Sequence, residues 1–221
     1  MRRRLASVDQ TRQRIVAATF DLHAAVGPSR TTIRAIADRA GVQRHTVYAH
    51  FPDMDTLYEA CTTHGMTATA MPHPGDWAGI GDPLERLHDG LAAMVAWYRA
   101  NTVMLANVLF DVDPDAPPPT TADPFELRIG ALIACLSEPW SMPPERRQAF
   151  DAVLSHALTY TTWRSLSDAA LPDDRIVALL VGLVEAVAAG TLPEPSHDRL
   201  ARSSARRARR SGGSPIGARP V

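Results

Sequence analysis

One stretch of the chain, TTIRAIADRAGVQRHTVYAHF at residues 31–51, decides its fold. Apolar residues at helical spacing predict a short helix over 32–40, and a second short helix is predicted over 43–49. Gly41 lies between them, where a tight turn needs a residue that tolerates a positive φ. Two short helices joined by such a turn cross steeply, which is the geometry of a helix-turn-helix.

The apolar side chains of this stretch predict which face is buried. Ile33, Ile36 and Ala37 point one way from the first short helix, and Val42 and Val47 can hold the second helix against it. The side chains left on the exposed side or at the ends are hydrogen-bond donors or amphipathic groups, which suit phosphates and base edges. These are Gln43, Arg44, His45, Thr46, Tyr48 and His50.

This stretch resembles the DNA-binding region of the tetracycline-repressor (TetR) family. The family pattern is matched through residues 31–51 and again at Leu57, and 15–18 and Gly27 fit the family's first helix. The similarity covers roughly residues 9–58. It is specific, because apolar, small, glycine and aromatic positions agree at fixed spacing.

The resemblance implies a DNA site on the two short helices. Side chains that open the recognition helix would read base edges, and those near its end, with two at the start of the preceding helix, would contact phosphates. Phe51 would fill the core between the third and fourth helices. The predicted DNA-binding residues are Thr32, Arg34, Gln43, Arg44, His45, Thr46, Tyr48 and His50.

Three positions depart from the family pattern. Met54 stands where a lysine is usual, which puts one phosphate contact in doubt. His23 replaces a frequent aromatic residue near the end of the first helix, and Pro28 replaces the aromatic residue that usually follows Gly27. The last two affect the expected packing more than the expected function.

Charge is distributed unevenly along the 221 residues. Residues 1–50 contain nine arginines and three acids, residues 51–198 contain seven arginines and 21 acids, and residues 199–221 contain seven arginines and no acid. The formal net charge of −1 therefore hides a basic head, an acidic body and a basic tail. A basic head that coincides with the helix-turn-helix favours polyanion binding there.

The rest of the pattern is also helical, so we expect an all-α protein. A three-helix DNA-binding domain over 1–58, with its helix-turn-helix at 32–51, precedes a larger helical ligand-binding and dimerisation domain over 59–190. A disordered basic tail over 191–221 is expected to follow, and 111–123 is expected to be a loop. The predicted helices are 9–26, 32–40, 43–49, 54–70, 84–100, 102–110, 125–136, 145–168 and 173–189.

The resemblance implies that the larger domain binds a small molecule and forms a homodimer through its last two helices. The sequence allows a dimer, because each of these helices has an apolar face, and two such faces paired across a two-fold axis form a four-helix bundle. Burial of both faces within one subunit is the alternative. The residues concerned are Leu154, Leu158, Thr161, Thr162, Leu166, Ile176, Leu179, Leu180, Leu183 and Val187.

Large flexible or flat side chains of the body could line a cavity for the effector. His156, expected to be buried among apolar neighbours, could add an oriented polar contact. Plain core packing is the alternative for each of them. The candidate ligand-binding residues are Met94, Trp97, Met104, Phe110, Trp140, His156, Tyr160 and Trp163.

Other functional classes lack their motifs. No acid–base or nucleophile pair is recognisable, so no enzyme is predicted, and no cofactor or metal is expected. Asp111, Asp113 and Asp115 have the spacing of the first three ligands of a calcium-binding loop. Ala116 and Ala122, however, occupy the positions where such a loop needs glycine and glutamate. Free thiols, no signal peptide and no membrane-length apolar stretch predict a cytoplasmic protein, nucleoid-associated when bound to DNA.

The resulting hypothesis is a ligand-responsive repressor that binds a palindromic double-stranded operator as a homodimer. The alternative is a helical small-molecule-binding protein that has lost operator binding. Met54 is the one residue in the sequence that supports the alternative.

Overall fold

The computed structural model describes residues 2–111 and 123–191, and the side chains from residue 7 onward within them. Helices and connecting turns make up these residues, with no strand among them, which confirms the all-α prediction. A short 3₁₀ helix, Pro74–Asp76, lies in one connection. The α-helices are α1 Arg2–Val26, α2 Ile33–Ala40, α3 Arg44–His50, α4 Met54–Ala68, α5 Pro83–Ala100, α6 Thr102–Phe110, α7 Pro124–Ser137, α8 Pro144–Ala157, α9 Tyr160–Asp168 and α10 Asp173–Ala189.

A small core joins α1, α2, α3 and the start of α4. Ile15, Ile36 and Val47, from the first three helices, are all 0 % exposed, and Phe51 and Leu57 close the core from the α3–α4 connection and α4. The predicted inward face of the short helices and the predicted core position of Phe51 are therefore seen in the structure. This core fixes the orientation of α3 on α2.

A larger core fills the body. α10 packs against both α5 and α8, and α9 closes one end of the group. Its largest fully buried side chains include Trp163, Tyr98 and Phe150. The rings of Tyr98 and Trp163 lie 5.9 Å apart, so aromatic packing joins α5 to α9.

The single helix predicted over 145–168 is wrong, because the chain breaks into α8 and α9 at Leu158 and Thr159. Thr159 has extended backbone geometry, and its hydroxyl accepts a hydrogen bond from the backbone N–H of Thr162, as an N-cap does. The break exposes the carbonyl of Leu158 to the core, where the Tyr98 hydroxyl donates to it at 2.5 Å. A buried phenol thus obtains its acceptor from the break.

The other helix boundaries differ from prediction by a few residues, except that α1 begins at Arg2 and not near residue 9. α4 is continuous across residue 58, and the predicted division into domains stays a prediction. Residues 112–122 of the predicted loop, with Asp113 and Asp115, and residues 192–221 of the predicted tail lie outside the described residues. No helix in the described part of the chain is long and apolar enough to span a membrane.

Candidate functional site

The turn between α2 and α3 is held by Gly41 and Arg14. Gly41 has φ 64°, and its N–H donates to the carbonyl of Asp38 at 3.2 Å, which ends α2. The Arg14 guanidinium, from α1, donates to the carbonyl of Ala40 and to that of Gly41. A Cβ on Gly41 would lie 2.8 Å from Arg14 Nη2, so the Arg14 side chain would have to shift, and the positive φ favours glycine at this position.

The outward face of α3 carries the predicted base readers. Gln43, Arg44 and His45 are exposed, and Tyr48 is 56 % exposed although it is a large aromatic residue. Val47, between them in sequence, is 0 % exposed and anchors the helix. Arg44 has no ion-pair partner among the described residues. The buried Val47 therefore holds α3 in place while its polar side chains face the solvent.

The other predicted DNA-binding residues flank this face. Thr46 and His50 are half-buried, and Thr32 is exposed with its hydroxyl accepting from the Ala35 N–H at 3.2 Å, as the N-cap of α2. The side chain of Arg34 is 81 % exposed and forms only a long ion pair, 3.7 Å, with Asp38. All eight predicted residues thus lie on α2, α3 or their immediate flanks.

Other arginines of the basic head are engaged inside the domain. Arg39 forms an ion pair with Asp21 at 2.7 Å, and the Arg12 guanidinium lies 4.6 Å from the centre of the Phe51 ring. Arg14 holds the turn. Arg34 and Arg44 are the exposed arginines of α2 and α3 that these internal contacts leave available for a phosphate or a base.

Met54 has a structural role at the start of α4. Its side chain is half-buried and packs against the small core that supports α3. The residue that replaces the usual lysine therefore adds apolar contact where a lysine would add charge.

A cavity lies between the first four helices and the body. It leaves about 670 Å³ free of protein atoms, with its open mouth and the adjoining solvent included. Residues of α1, α4, α5, α6 and α7 surround it, together with the C-cap of α4 and the N-cap of α7. They are Phe20, His23, Cys61, Thr62, Gly65, Met66, Thr69, Trp97, Met104, Leu105, Val108, Leu109, Asp123, Phe125 and Glu126.

Of the eight predicted ligand-binding residues, the structure places Trp97 and Met104 in this wall. Met94, Tyr160 and Trp163 are buried in the larger core, and Phe110 is 60 % exposed. Trp140 packs on the Phe150 ring at 5.3 Å. His156 is exposed and contacts the Thr162 hydroxyl at 3.1 Å, so its predicted burial among apolar neighbours is wrong. The reason is that the break after α8 leaves this residue on the outer face of the helix end.

Sequence reasoning missed His23 and Cys61 as cavity residues. His23 is 6 % exposed, its Nδ1 lies 3.6 Å from the Cys61 sulfur, and its ring meets that of Tyr58 edge-on at 5.1 Å. Burial lowers the pKa of His23 to about 4, against a smaller opposing effect of Asp111, and burial raises the pKa of the Cys61 thiol to about 12. The sequence held one indication of this, because His23 stands where the resembled family frequently has an aromatic residue.

A shallow apolar groove runs between α9 and α10. Leu179 is 52 % exposed and Leu183 is 39 % exposed, whereas Ile176, Leu180 and Val187, from the same predicted stripe, are buried within the subunit. Leu154 and Leu158 are buried as well. The residues that line the groove are His156, Thr161, Thr162, Ser165, Leu166, Leu179, Leu180 and Leu183.

No group of three or more side chains that could hold a metal ion is found among the described residues.

Comparisons with known proteins bear on this arrangement. Residues 15–61 match the family model described as bacterial regulatory proteins, tetR family. A crystal structure of a tetR-family transcriptional regulator from Streptomyces coelicolor has the same fold, with a TM-score of 0.59 and 21 % identity over 90 % of this chain and 98 % of that one. A HlyIIR mutant protein aligns less well, with a TM-score of 0.45 and 14 % identity over 79 % of this chain and 94 % of that one. No curated protein matches the chain significantly.

Proposed function

We propose that this protein is a ligand-responsive repressor, because residues 15–61 match the tetR family of bacterial regulatory proteins and the chain has the fold of such a regulator. In this proposal it acts as a homodimer on a palindromic operator. The family match supports the coarser function, a DNA-binding transcriptional regulator. Repression, dimerisation and the response to a ligand are the parts that we add.

The observation that carries the proposal is the exposed face of α3. Arg44 and Tyr48 extend from a helix whose inner residue, Val47, is fully buried, so the polar face is held rigidly at the surface. A helix of this kind fits the major groove, where arginine recognises guanine and tyrosine reaches a phosphate. One such helix reads only a short half-site, which favours two subunits on a palindrome.

The groove between α9 and α10 supports a dimer. Leu179 and Leu183 expose apolar surface on one side of α10, next to half-buried Leu166 of α9. Pairing of this face with its own copy would bury these leucines in a four-helix arrangement. The two α3 helices would then be held by one rigid body.

The cavity supports control by a ligand. Its wall includes α1 and α4 of the DNA-binding region together with α5, α6 and α7 of the body. A ligand that fits only one arrangement of these helices would change the spacing of the two α3 helices, and the affinity for DNA would change with it. In this proposal the protein is a regulator and not an enzyme.

A gel-shift titration on the DNA beside its own gene tests the proposal. We expect a salt-sensitive complex that Arg44→Ala and Tyr48→Phe both weaken. Retention of full affinity in both variants, or failure of the wild-type protein to bind any duplex at low salt, would contradict operator recognition by α3.

A further inference from the structure

One residue of the cavity wall has a ring nitrogen without a hydrogen-bond partner. His23 is 6 % exposed, and its Nε2 atom is itself buried and has no partner among the described residues. Leaving a buried polar group unpaired costs on the order of 1–3 kcal/mol, so such groups are rare and call for an explanation. The other indole or imidazole group in the wall is satisfied, because Trp97 Nε1 donates to the carbonyl and the hydroxyl of Thr69.

The neighbours of His23 decide which ring nitrogen carries the proton. The lowered pKa keeps the ring neutral at pH 7, and the raised pKa keeps the Cys61 thiol protonated. A thiol is a poor acceptor and an imidazole nitrogen is a good one, so the 3.6 Å contact is best made by S–H donating to Nδ1. Nε2 then carries the hydrogen and is a donor without an acceptor.

The charged residues of the cavity wall limit the charge of a ligand that can bind there. Asp123 and Glu126, at the start of α7, contribute carboxylates, and no arginine is found among the described lining residues. The chain has no lysine at all. An organic anion would meet two like charges and no counter-charge, which disfavours its binding.

The remaining wall is apolar and partly aromatic. Phe20, Met66, Met104 and Leu109 offer no charge, and the rings of Trp97 and Phe125 lie 6.2 Å apart with 30° between their planes. Flat aromatic and flexible methionine side chains accommodate an apolar body of varied outline.

We propose that the effector is a largely apolar molecule without an anionic group, whose carbonyl oxygen accepts a hydrogen bond from Nε2–H of His23. Asp123 and Glu126 disfavour organic acids. Because Nε2 is itself buried, the ring of His23 must turn toward the ligand on binding. This inference rests on the proposed function and adds the chemical class of the ligand. It also places the ligand's polar contact on α1, in the DNA-binding region itself.

Three naphthalene probes test the proposal on the full chain by fluorescence titration. The first is the ketone 6-propionyl-2-dimethylaminonaphthalene, the second is 2-dimethylaminonaphthalene, which lacks the carbonyl, and the third is the anion 1-anilinonaphthalene-8-sulfonate. We expect the ketone to bind the wild-type protein most tightly. At the site where it competes with the ketone, the anion should have the lowest affinity of the three probes. The double variant Asp123→Asn, Glu126→Gln should raise the affinity for the anion.

His23→Phe keeps a flat ring and removes the donor. We expect it to weaken the ketone about three- to tenfold, the value of a neutral hydrogen bond, and to leave the probe without a carbonyl unchanged. His88→Phe, at an exposed position of α5, is the matched control and should change neither probe. An unchanged dissociation constant for the ketone in His23→Phe, or an anion that binds as tightly as the ketone, overturns the proposal.

A measurement on the wild-type protein avoids dependence on the folding of the variant. In ¹⁵N spectra of labelled histidine, we expect His23 to be protonated on Nε2, with its proton signal moving downfield when the ketone is added. A proton on Nδ1 overturns the proposal. The gel-shift assay distinguishes failure of this inference from failure of the proposed function. If the protein binds DNA but His23→Phe does not weaken the ketone, only this inference is wrong. If the ketone binds in a His23-dependent way but the protein binds no DNA, only the proposed function is wrong.

Discussion

The carboxylate of Asp111 accepts two hydrogen bonds from Ser29, one from the backbone N–H at 3.0 Å and one from the hydroxyl at 2.6 Å. These contacts join the end of α6 to the turn between α1 and α2. Asn107, one turn earlier on α6, donates to the carbonyl of Ala24 near the end of α1 at 2.7 Å. Since α6 also lines the cavity with Met104 and Leu105, one short helix contacts both the cavity and the end of α1 that leads into the helix-turn-helix.

Gly27 makes this contact possible. It has φ 88°, and a Cβ on it would lie 2.0 Å from an oxygen of Asp111. We expect Gly27→Ala to lower the free energy of unfolding by about 1–3 kcal/mol, because alanine at this φ is strained and because Asp111 must move away from Ser29. Urea or thermal unfolding followed by circular dichroism measures the change.

Gly130→Ala is the control for that substitution. Gly130 lies inside α7, and a Cβ there meets nothing within 4 Å. Alanine is the better helix former, so stability is expected to stay constant or to rise by up to about 1 kcal/mol. Equal effects of the two substitutions would show that the Asp111 contact does not depend on Gly27.

His23 should make stability depend on pH. Its pKa of about 4 in the folded protein lies below the value of 6.5 expected for the unfolded chain, so the unfolded chain binds the proton first as the pH falls. Stability is therefore full above pH 6.5 and declines toward pH 4. From pH 7.5 to pH 5 we expect a loss of about 2 kcal/mol from this group.

Urea unfolding at the two pH values isolates the contribution of His23. His23→Phe has no group to titrate there and should lose about 2 kcal/mol less than the wild-type protein between them. The same pH dependence in both proteins would rule out a buried neutral His23.

The sequence predicted the α2–turn–α3 segment well because local chemistry determines it. Gly41 permits the left-handed turn, Thr32 caps α2, and Val47 marks the buried side of α3. Each of these roles depends on neighbours within a few positions. The exposed residues followed directly once the buried face was known.

The cavity and the break after α8 could not be predicted in this way. His23 and Cys61 are 38 positions apart, Tyr98 and Leu158 are 60 apart, and Ser29 and Asp111 are 82 apart. Whether a large apolar residue lines a cavity or fills a core depends on which helices meet, and helical periodicity does not give that. Methionines and aromatics therefore suggested a cavity whose wall they mostly do not form.

Arg44 is expected to contribute specificity as well as affinity. If it reads a base in the major groove, Arg44→Ala should weaken operator binding by about 1–3 kcal/mol and relax the preference at one base pair of each half-site. Tyr48→Phe removes only a hydroxyl and should cost about 1 kcal/mol with unchanged preference. Binding to a library of operator variants measures both quantities.

Arg128→Ala is the control for the loss of one positive charge. Arg128 lies on α7 and donates to the carbonyl of Pro72 at 3.3 Å, away from α3. We expect it to leave both affinity and base preference unchanged. If Arg44→Ala weakens all operator variants equally, Arg44 contacts phosphate and not a base.

Leu179 and Leu183 are expected to hold the dimer together. Light scattering should give the wild-type protein a mass near twice 24.0 kDa, and a carboxylate at either position would be buried without a partner in the paired α9 and α10 faces. Leu179→Glu or Leu183→Glu should therefore shift the mass toward 24.0 kDa at micromolar concentration and weaken operator binding, while the helix content stays the same. Leu127→Glu is the matched control, since Leu127 is 63 % exposed on α7 and does not line the groove, and it should remain dimeric. A wild-type monomer, or dimers that survive both groove substitutions, would place the subunit interface elsewhere.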